Sequence, residues 1–274
     1  MSYQDDLKKH LGDYKKSALG ISEPGIFRYS GRDLPQDHIL PLASSSRNLL
    51  EEASDFFAVY PNIKRHQYFH HLNSSQAFAF NLFFPYFSGP PESASALLRA
   101  LGCGGVFARW EPEEVPDPEE GSNIDVCWWT TDGAKTFCEV KLSEAEFGKA
   151  VDDDRHRAKL ADIYSQKLDS HLERGGLDRS AFFDAYQFNR NVWHMVHEDR
   201  SRLIFLLPRA NAVLWERIHQ LLQGVVPQTR KRISAVAIES VIARLCADEQ
   251  CSKKMRDYAN TLKQKYVIPD IAQE

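Results

Sequence analysis

The alternation of apolar and polar residues predicts a β-hairpin near the middle of the chain. Two runs rich in β-branched and aromatic residues, 123–129 and 135–142, flank an Asp132-Gly133 pair. Such runs around an Asp-Gly dipeptide are typical of two strands joined by a tight turn. Because most of their residues are apolar, we expect both strands to be largely buried.

Other segments show strand or helix periodicity on either side of this hairpin. Strands are predicted at residues 105–110, 202–207 and 233–238. Helices are predicted at residues 48–57, 74–84, 93–101, 158–172, 180–197 and 211–223, with further helices over 239–266. Asn73 or Ser74 and Asn211 are good N-caps, whereas Pro85 is expected to stop the second helix. This order of elements predicts an α/β sandwich, a mixed sheet covered by helices on both faces.

Length and composition are typical of a globular protein that buries a sizeable core. The chain has 274 residues, of which 43% are hydrophobic and 26% charged. No run reaches the roughly 18 apolar residues of a membrane span, and the first residues lack a signal-peptide pattern, so we expect a cytoplasmic protein without membrane contact. Five cysteines form no Cys-x-x-Cys pair, which argues against disulfides and a cysteine zinc site.

The pattern divides the chain into three predicted segments. Residues 1–65 give few periodic signals and are interpreted as an N-terminal extension. Residues 66–238 contain the predicted sheet, and residues 239–274 form a helical segment expected to pack on that core. The net charge of −4 does not decide for or against a nucleic-acid partner, because the charge is unevenly distributed. Acidic residues are concentrated at 111–120, whereas basic residues recur from 149 onward.

The predicted hairpin brings charged side chains together. A turn centred near Asp132 places Asp125 roughly opposite Glu139. Because side chains alternate across a strand, Glu139 and Lys141 share one face and Val140 lies on the other. One or two carboxylates, water and a phosphate are the ligands that Mg²⁺ usually takes. The alternative, a solvated face of alternating charges, fits poorly with strands this apolar.

This arrangement, an Asp followed after 13 residues by Glu-x-Lys, resembles the signature of the PD-(D/E)XK nuclease superfamily. Ile124 stands where the signature has proline. The resemblance implies a restriction-endonuclease-like αβ sandwich that hydrolyses phosphodiester bonds in DNA. It also implies Mg²⁺, with Mn²⁺ as a substitute, held by Asp125, Glu139 and the Val140 carbonyl, while Lys141 helps to position the hydrolytic water.

A polar stripe runs along the predicted helix 180–197. Gln187, Arg190, Asn191 and His194 are spaced i, i+3, i+4 and i+7, which puts them on one side of a largely apolar helix. The spacing leaves open whether the stripe faces solvent or a wet internal cleft. In a cleft, these amide, guanidinium and imidazole groups would suit a phosphate or would orient Lys141.

Two short runs, 186–191 and 72–76, are similar to those of a bacterial family of restriction-endonuclease-like proteins within the same superfamily. That similarity implies Gln76, Gln187, Arg190 and Asn191 as substrate-binding residues. The first helix of such proteins often offers an acidic residue to the metal, but here it offers Gln76. The glutamates at positions 111, 113 and 114 are therefore alternative sources of a second acid.

Other interpretations stay open at this stage. His66 with His70, and His194 with His197, have spacings that bind zinc on a helix when a third ligand converges, although buried or surface histidine is the commoner outcome. A nucleic-acid-binding or protein-interaction module could keep the fold without catalysis, and a non-nucleolytic metal hydrolase is a third reading. DNA is the expected partner, and the sequence leaves monomer or homodimer open.

Overall fold

The computed structural model describes residues 2–174 and 177–269, and the chain divides into two units that are interleaved in sequence. The first unit comprises Met1–Gly104, Val140–Ser143 and Ala237–Glu274, and the second comprises Gly105–Glu139 and Glu144–Val236. Residues 270–274 of the predicted C-terminal segment lie outside the described part of the chain. The three-segment division made from the sequence stays a prediction.

The helices and strands follow one another along the chain in this order. Up to residue 101 they are α1 (Tyr3–Ala18), β1 (Gly25–Tyr29), β2 (Arg32–Gln36), α2 (Phe56–Val59), α3 (Ser75–Phe87) and α4 (Pro91–Leu101). The following elements are β3 (Phe107–Glu114), β4 (Ile124–Thr130), β5 (Lys135–Val140), α5 (Asp154–Lys159), α6 (Ser165–Leu168), α7 (Arg179–Asp184) and α8 (Tyr186–Val196). The last are β6 (Ser201–Leu207), α9 (Ala212–Gln223), α10 (Pro227–Arg230), β7 (Ile233–Ala237), α11 (Ile238–Ala247) and α12 (Lys253–Tyr266).

A five-stranded mixed sheet with the strand order β3-β4-β5-β6-β7 organises the second unit. Strands β3, β4 and β5 form an antiparallel meander, which contains the hairpin predicted from the sequence. Apolar side chains from the sheet and from the helices of this unit make its core, including Ile124, Phe137, Val192, Phe205 and Leu214. The predicted α/β class with a mixed sheet and flanking helices is confirmed.

Strand β3 is longer than the predicted strand 105–110 and includes Pro112. It pairs with β4 as far as Glu114 opposite Ile124. Proline cannot donate a ladder hydrogen bond and is therefore tolerated mainly on edge strands. Because β3 lies at the edge of the sheet, Pro112 does not end it.

In the first unit, α3 is buried along nearly its whole length and runs through Pro85, where the sequence predicted its end. A proline at this position leaves the carbonyl of Asn81, four residues earlier, without its helical donor. The Tyr258 hydroxyl, from α12, donates to that carbonyl instead. A tertiary hydrogen bond thus lets the helix continue to Phe87.

The single helix predicted at 48–57 is wrong. Leu42–Asn48 and Glu51–Ala53 form 3₁₀ turns, and only Phe56–Val59 is α-helical. The Asn48 carbonyl accepts from Lys265 Nζ at 2.6 Å and from Asn81 Nδ2 at 3.0 Å. The Leu50 N–H donates to Asn81 Oδ1 at 2.7 Å. These long-range bonds occupy backbone groups that a helix would need for itself.

Two other helix predictions change in detail. The predicted helix 180–197 is divided at Ala185, whose φ of −122° and ψ of 34° are not helical, into α7 and α8. The predicted helix 158–172 starts earlier, at Asp154, contains a π turn at Leu160–Tyr164 and ends at Leu168. The predicted helix capped by Asn211 is confirmed, since its side chain accepts from the Leu214 N–H at 3.4 Å.

Candidate active site

The β4–β5 hairpin places Asp125 and Glu139 at neighbouring positions of the sheet. Its register pairs Trp129 with Lys135 and continues in step to Val126 opposite Cys138. Asp125 and Glu139 are the next residues on their strands, and cross-strand partners of an antiparallel pair project from the same face. Asp125 is half-buried and Glu139 is 2% exposed.

The turn between the strands fixes this register. The Gly133 N–H donates to the Thr130 carbonyl at 2.9 Å, and Gly133 adopts a φ of 82°. The Thr130 hydroxyl donates to Asp132 Oδ1 at 2.5 Å, and this bond is the main cause that lowers the pKa of Asp132. A slip by one residue would turn every side chain to the other face, so the turn determines where both carboxylates point.

Both oxygens of the Glu139 carboxylate accept hydrogen bonds from α8. Gln187 Nε2 donates to Oε1 at 2.6 Å, and Asn191 Nδ2 donates to Oε2 at 2.9 Å. Gln187 and Asn191 of the polar stripe therefore face Glu139 rather than bulk water. A carboxylate has about four lone-pair sites. Two amide donors thus fix the orientation of the Glu139 side chain.

The chain after β5 packs closely against the start of α8. The Gln187 N–H donates to the Gly148 carbonyl at 3.3 Å. Gly148 has a φ of 59°, and a Cβ there would lie 3.1 Å from Gln187 Oε1. Only glycine accommodates both the positive φ and this close approach without strain. The segment therefore supports the side chain that orients Glu139.

Arg190 lies beside the entry to β4. Its Nη2 donates to the Asn123 carbonyl at 3.3 Å, and its Nε approaches Asn191 Oδ1 at 3.4 Å. Of the five N–H donors of a guanidinium, these contacts use two. Asn123 in turn donates to the Glu113 carboxylate, and Glu111 lies 3.6 Å from the guanidinium of Arg109.

The sequence analysis missed Glu120, a fully buried carboxylate in this unit. Its oxygens accept from the Tyr164 hydroxyl at 2.6 Å, from Lys159 Nζ at 3.0 Å and from the Ser122 N–H at 2.9 Å. His194 Nε2 lies 3.4 Å from Oε2 without hydrogen-bond geometry. In the sequence, Glu120 is one of several acidic residues in the run 111–120, and no feature distinguishes it from the others.

Burial and the surrounding polar groups shift the pKa of Glu120 in opposite directions. Burial alone would raise the pKa of Glu120, but the groups around it, with His194 first, lower that pKa overall. Burial lowers the pKa of His194. Glu120 therefore stays ionised and ties the segment before β4 to Lys159 and Tyr164.

Three predicted site residues, Gln76, Val140 and Lys141, belong to the first unit. Lys141 follows directly after β5, is 7% exposed and stands two residues from Glu139 in the chain, while Val140 is 1% exposed. Gln76 lies on α3, where its Oε1 accepts from the His66 N–H at 2.8 Å and its Nε2 donates to the Lys64 carbonyl at 3.2 Å. In the first unit, therefore, Gln76 holds the segment 64–66 in place.

The alternative of a helical zinc pair at His66 and His70 does not apply, because neither residue lies on a helix. Within residues 2–174 and 177–269, no three side chains of His, Cys, Asp or Glu are placed to hold one metal ion. The donor set inferred from the sequence, two carboxylates and a main-chain carbonyl, stays a prediction. These hard oxygen ligands suit Mg²⁺, which keeps several waters and takes others from a phosphate.

Cys127 and Cys138 on the hairpin are free thiols and fully buried. Burial raises the pKa of Cys127 well above its usual value, so it behaves as a small apolar residue.

In the described ranges, none of the helices combines the length and apolarity needed to cross a membrane.

Fold and site together define an α/β protein with a carboxylate on each arm of a buried hairpin. The chain belongs to the family described as Restriction Endonuclease associating with ARP, whose model matches residues 8–267. This match supports a restriction-endonuclease-like protein. Searches of curated proteins and of solved structures found no significant match.

Proposed function

We propose that this protein is a Mg²⁺-dependent endonuclease that hydrolyses phosphodiester bonds in DNA and acts in restriction, repair or phage defence. The observation that carries the proposal is the placement of Glu139. Its carboxylate is buried, is held by two amide donors and shares a strand register with Asp125. In a restriction-endonuclease family, carboxylates at adjacent positions of a hairpin suit a divalent cation, which takes hard oxygen ligands.

In this proposal, the carboxylates of Asp125 and Glu139 and the carbonyl of Val140 hold the metal. Bound Mg²⁺ supplies positive charge that polarises a phosphate and lowers the pKa of water. The amide groups of Gln187 and Asn191 keep the Glu139 side chain in one orientation, because they donate to both of its oxygens. Their role is therefore positioning rather than contact with the reacting atoms.

Lys141 is assigned to the reacting centre. Its ammonium would orient the attacking water and offset the charge that develops on the phosphate in the transition state. Arg190 has N–H groups beyond those bonded to Asn123 and Asn191, and these would contact the DNA backbone. Gln76 would act indirectly, through the main chain at Lys64 and His66.

A cleavage assay on several nucleic acids tests this proposal. Purified protein is incubated with circular plasmid, linear duplex, single-stranded DNA, branched DNA and RNA, each with Mg²⁺, Mn²⁺ or EDTA. We expect cleavage of DNA with either metal, including opening of the circular plasmid, and none with EDTA. Failure to cut any DNA with either metal, or equal cutting in EDTA, would contradict the proposal.

Replacing Gln187 tests the positioning role. Gln187→Ala should lower turnover by about 10-fold, since one donor to a charged acceptor is lost, a bond that contributes about 1.5–3 kcal/mol. Mn²⁺ affinity, measured by calorimetry, should fall by no more than about 10- to 100-fold, because an outer partner and not a ligand is removed. The matched control is Gln220→Ala, an exposed glutamine on α9, which should leave both unchanged. Full activity in Gln187→Ala would show that the contact with Glu139 has no role in catalysis.

A further inference from the structure

The β1–β2 hairpin of the first unit is short and exposed, and it carries aromatic residues on one face. Its register pairs Phe27 with Leu34 and Tyr29 with Arg32. The two turn residues, Ser30 and Gly31, have φ values of 48° and 76°. Positive φ at both positions is the type I′ geometry that matches the twist of a two-residue hairpin. Phe27, Tyr29, Arg32 and Leu34 therefore project from the same face.

Rings from this face and from the segment before α3 form a continuous row, which we call the aromatic ledge: Tyr29, Phe27, Tyr68 and His66. Tyr29 and Phe27 are nearly parallel, with ring centroids 6.1 Å apart. The Phe27–Tyr68 and Tyr68–His66 centroids are 6.1 Å and 5.5 Å apart. Tyr29 is 63% exposed and Tyr68 39% exposed. Large rings exposed in a row mark an interaction surface rather than a core.

Basic side chains lie on the ledge or next to it in the chain. Arg32, the partner of Tyr29 on the same face, is exposed, and so are Lys64 and Arg65 next to His66 in the chain. The Arg65 guanidinium lies 4.5 Å from the centroid of the Phe57 ring, which fixes its position. The acidic residue of the hairpin, Asp33, is paired with Arg28 at 2.9 Å on the opposite face. The ledge therefore combines stacking faces with cations.

Hydrogen bonds hold His66 and Tyr68 of the ledge in place. The His66 N–H donates to Gln76 Oε1 at 2.8 Å, and the Tyr68 N–H donates to His66 Nδ1 at 3.3 Å. Behind Tyr68, His71 packs edge-on against Phe27 at 5.9 Å. Burial lowers the pKa of His71 to about 3, so this ring is neutral. Such a surface is ordered before a ligand binds, which reduces the entropic cost of binding.

We propose that the aromatic ledge binds single-stranded nucleic acid, with unpaired bases stacked on Tyr29 and Tyr68 and backbone phosphates held by Arg32 and Lys64. Exposed aromatic rings flanked by cations are the usual features of single-strand recognition, because every unpaired base offers a π-face. Paired bases in a duplex hide these faces. The inference takes the nucleic-acid substrate from the proposed function and adds a site at which its unpaired strand is held.

Binding measured without metal separates this proposal from catalysis. Fluorescence anisotropy with a labelled oligothymidine, in EDTA, gives the dissociation constant for wild type, Tyr29→Ala and Tyr68→Ala. Each tyrosine variant should bind at least about 5-fold more weakly, whereas Tyr29→Phe should bind like wild type because the ring is kept. Leu42→Ala, which removes another exposed apolar side chain of the first unit, is the control and should have no effect.

The salt dependence gives an independent measure of the phosphate contacts. Arg32→Ala should reduce the slope of log affinity against log salt by about 0.7, the value for one phosphate contact on a single strand. Lys9→Ala, an exposed lysine on α1, should leave the slope unchanged. Unchanged affinity in both tyrosine variants, or no oligothymidine binding by wild type, would overturn the ledge proposal. Metal-dependent cleavage of the plasmid tests the proposed nuclease function, and its outcome does not depend on the result for the ledge.

Discussion

Lys141→Ala is expected to abolish cleavage of DNA, with a loss of at least about 100-fold in turnover, while DNA affinity stays nearly unchanged. The reason is the proposed place of the ammonium at the reacting centre, where it acts on the water and on the transition state. One lysine among many phosphate contacts contributes little to affinity. Single-turnover cleavage and anisotropy with the same labelled duplex measure the two effects.

Matched variants keep this test independent of folding. Lys141 is buried, so Lys141→Met, which retains the apolar stem, accompanies the alanine variant, and thermal unfolding checks both. Lys167→Ala, an exposed lysine of the second unit, should behave like wild type. If folded Lys141→Ala and Lys141→Met cut DNA at the wild-type rate, the reacting centre lies elsewhere in the chain.

Asp125→Ala and Glu139→Gln are expected to lose both cleavage and Mn²⁺ binding. Removing a ligand should lower Mn²⁺ affinity by more than the roughly 10- to 100-fold that changes of outer partners cause. Glu139→Gln is preferred to alanine because deleting the side chain would leave the amide donors of Gln187 and Asn191 unsatisfied, at a cost of about 1–3 kcal/mol each. Calorimetric titration with Mn²⁺ measures the affinity.

The titration is best done with and without bound oligonucleotide, in the Lys141→Met background, so that substrate phosphates can complete the coordination without being cleaved. Glu216→Ala removes an exposed carboxylate of α9 and serves as the control, with no change expected. Mn²⁺ binding of equal strength in wild type, Asp125→Ala and Glu139→Gln would exclude the hairpin carboxylates as ligands. A wild-type protein that binds no divalent cation in either condition would favour a non-catalytic nucleic-acid-binding module.

The hairpin could be predicted from sequence because its determinants are local. Apolar residues, an Asp-Gly dipeptide and strand alternation predict the two strands, and a turn centred near Asp132 gives the register that places Asp125 beside Glu139. The α8 stripe was likewise visible from its spacing. The surroundings of the stripe could not be predicted, because only the packing of the helix decides whether Gln187 and Asn191 contact Glu139 or water.

The features that sequence reasoning missed depend on contacts between distant parts of the chain. Helix α3 continues past Pro85 because Tyr258, 177 residues from Asn81, supplies the missing donor. The segment around Asn48 is not one helix because Lys265 and Asn81 bind its carbonyl. Glu120 is a buried ion only because Tyr164, Lys159 and Ser122 surround it in the fold. Local propensity contains none of this information.

The most direct measurement of the central claim is the anomalous scattering of crystals soaked with Mn²⁺. A metal-dependent nuclease centred on the β4–β5 hairpin predicts an anomalous peak coordinated by carboxylate oxygens of both Asp125 and Glu139, and its loss in Glu139→Gln crystals. A protein that cuts DNA with Mn²⁺ but shows its peak away from these carboxylates, or shows the same peak in the Glu139→Gln crystals, would contradict the assignment.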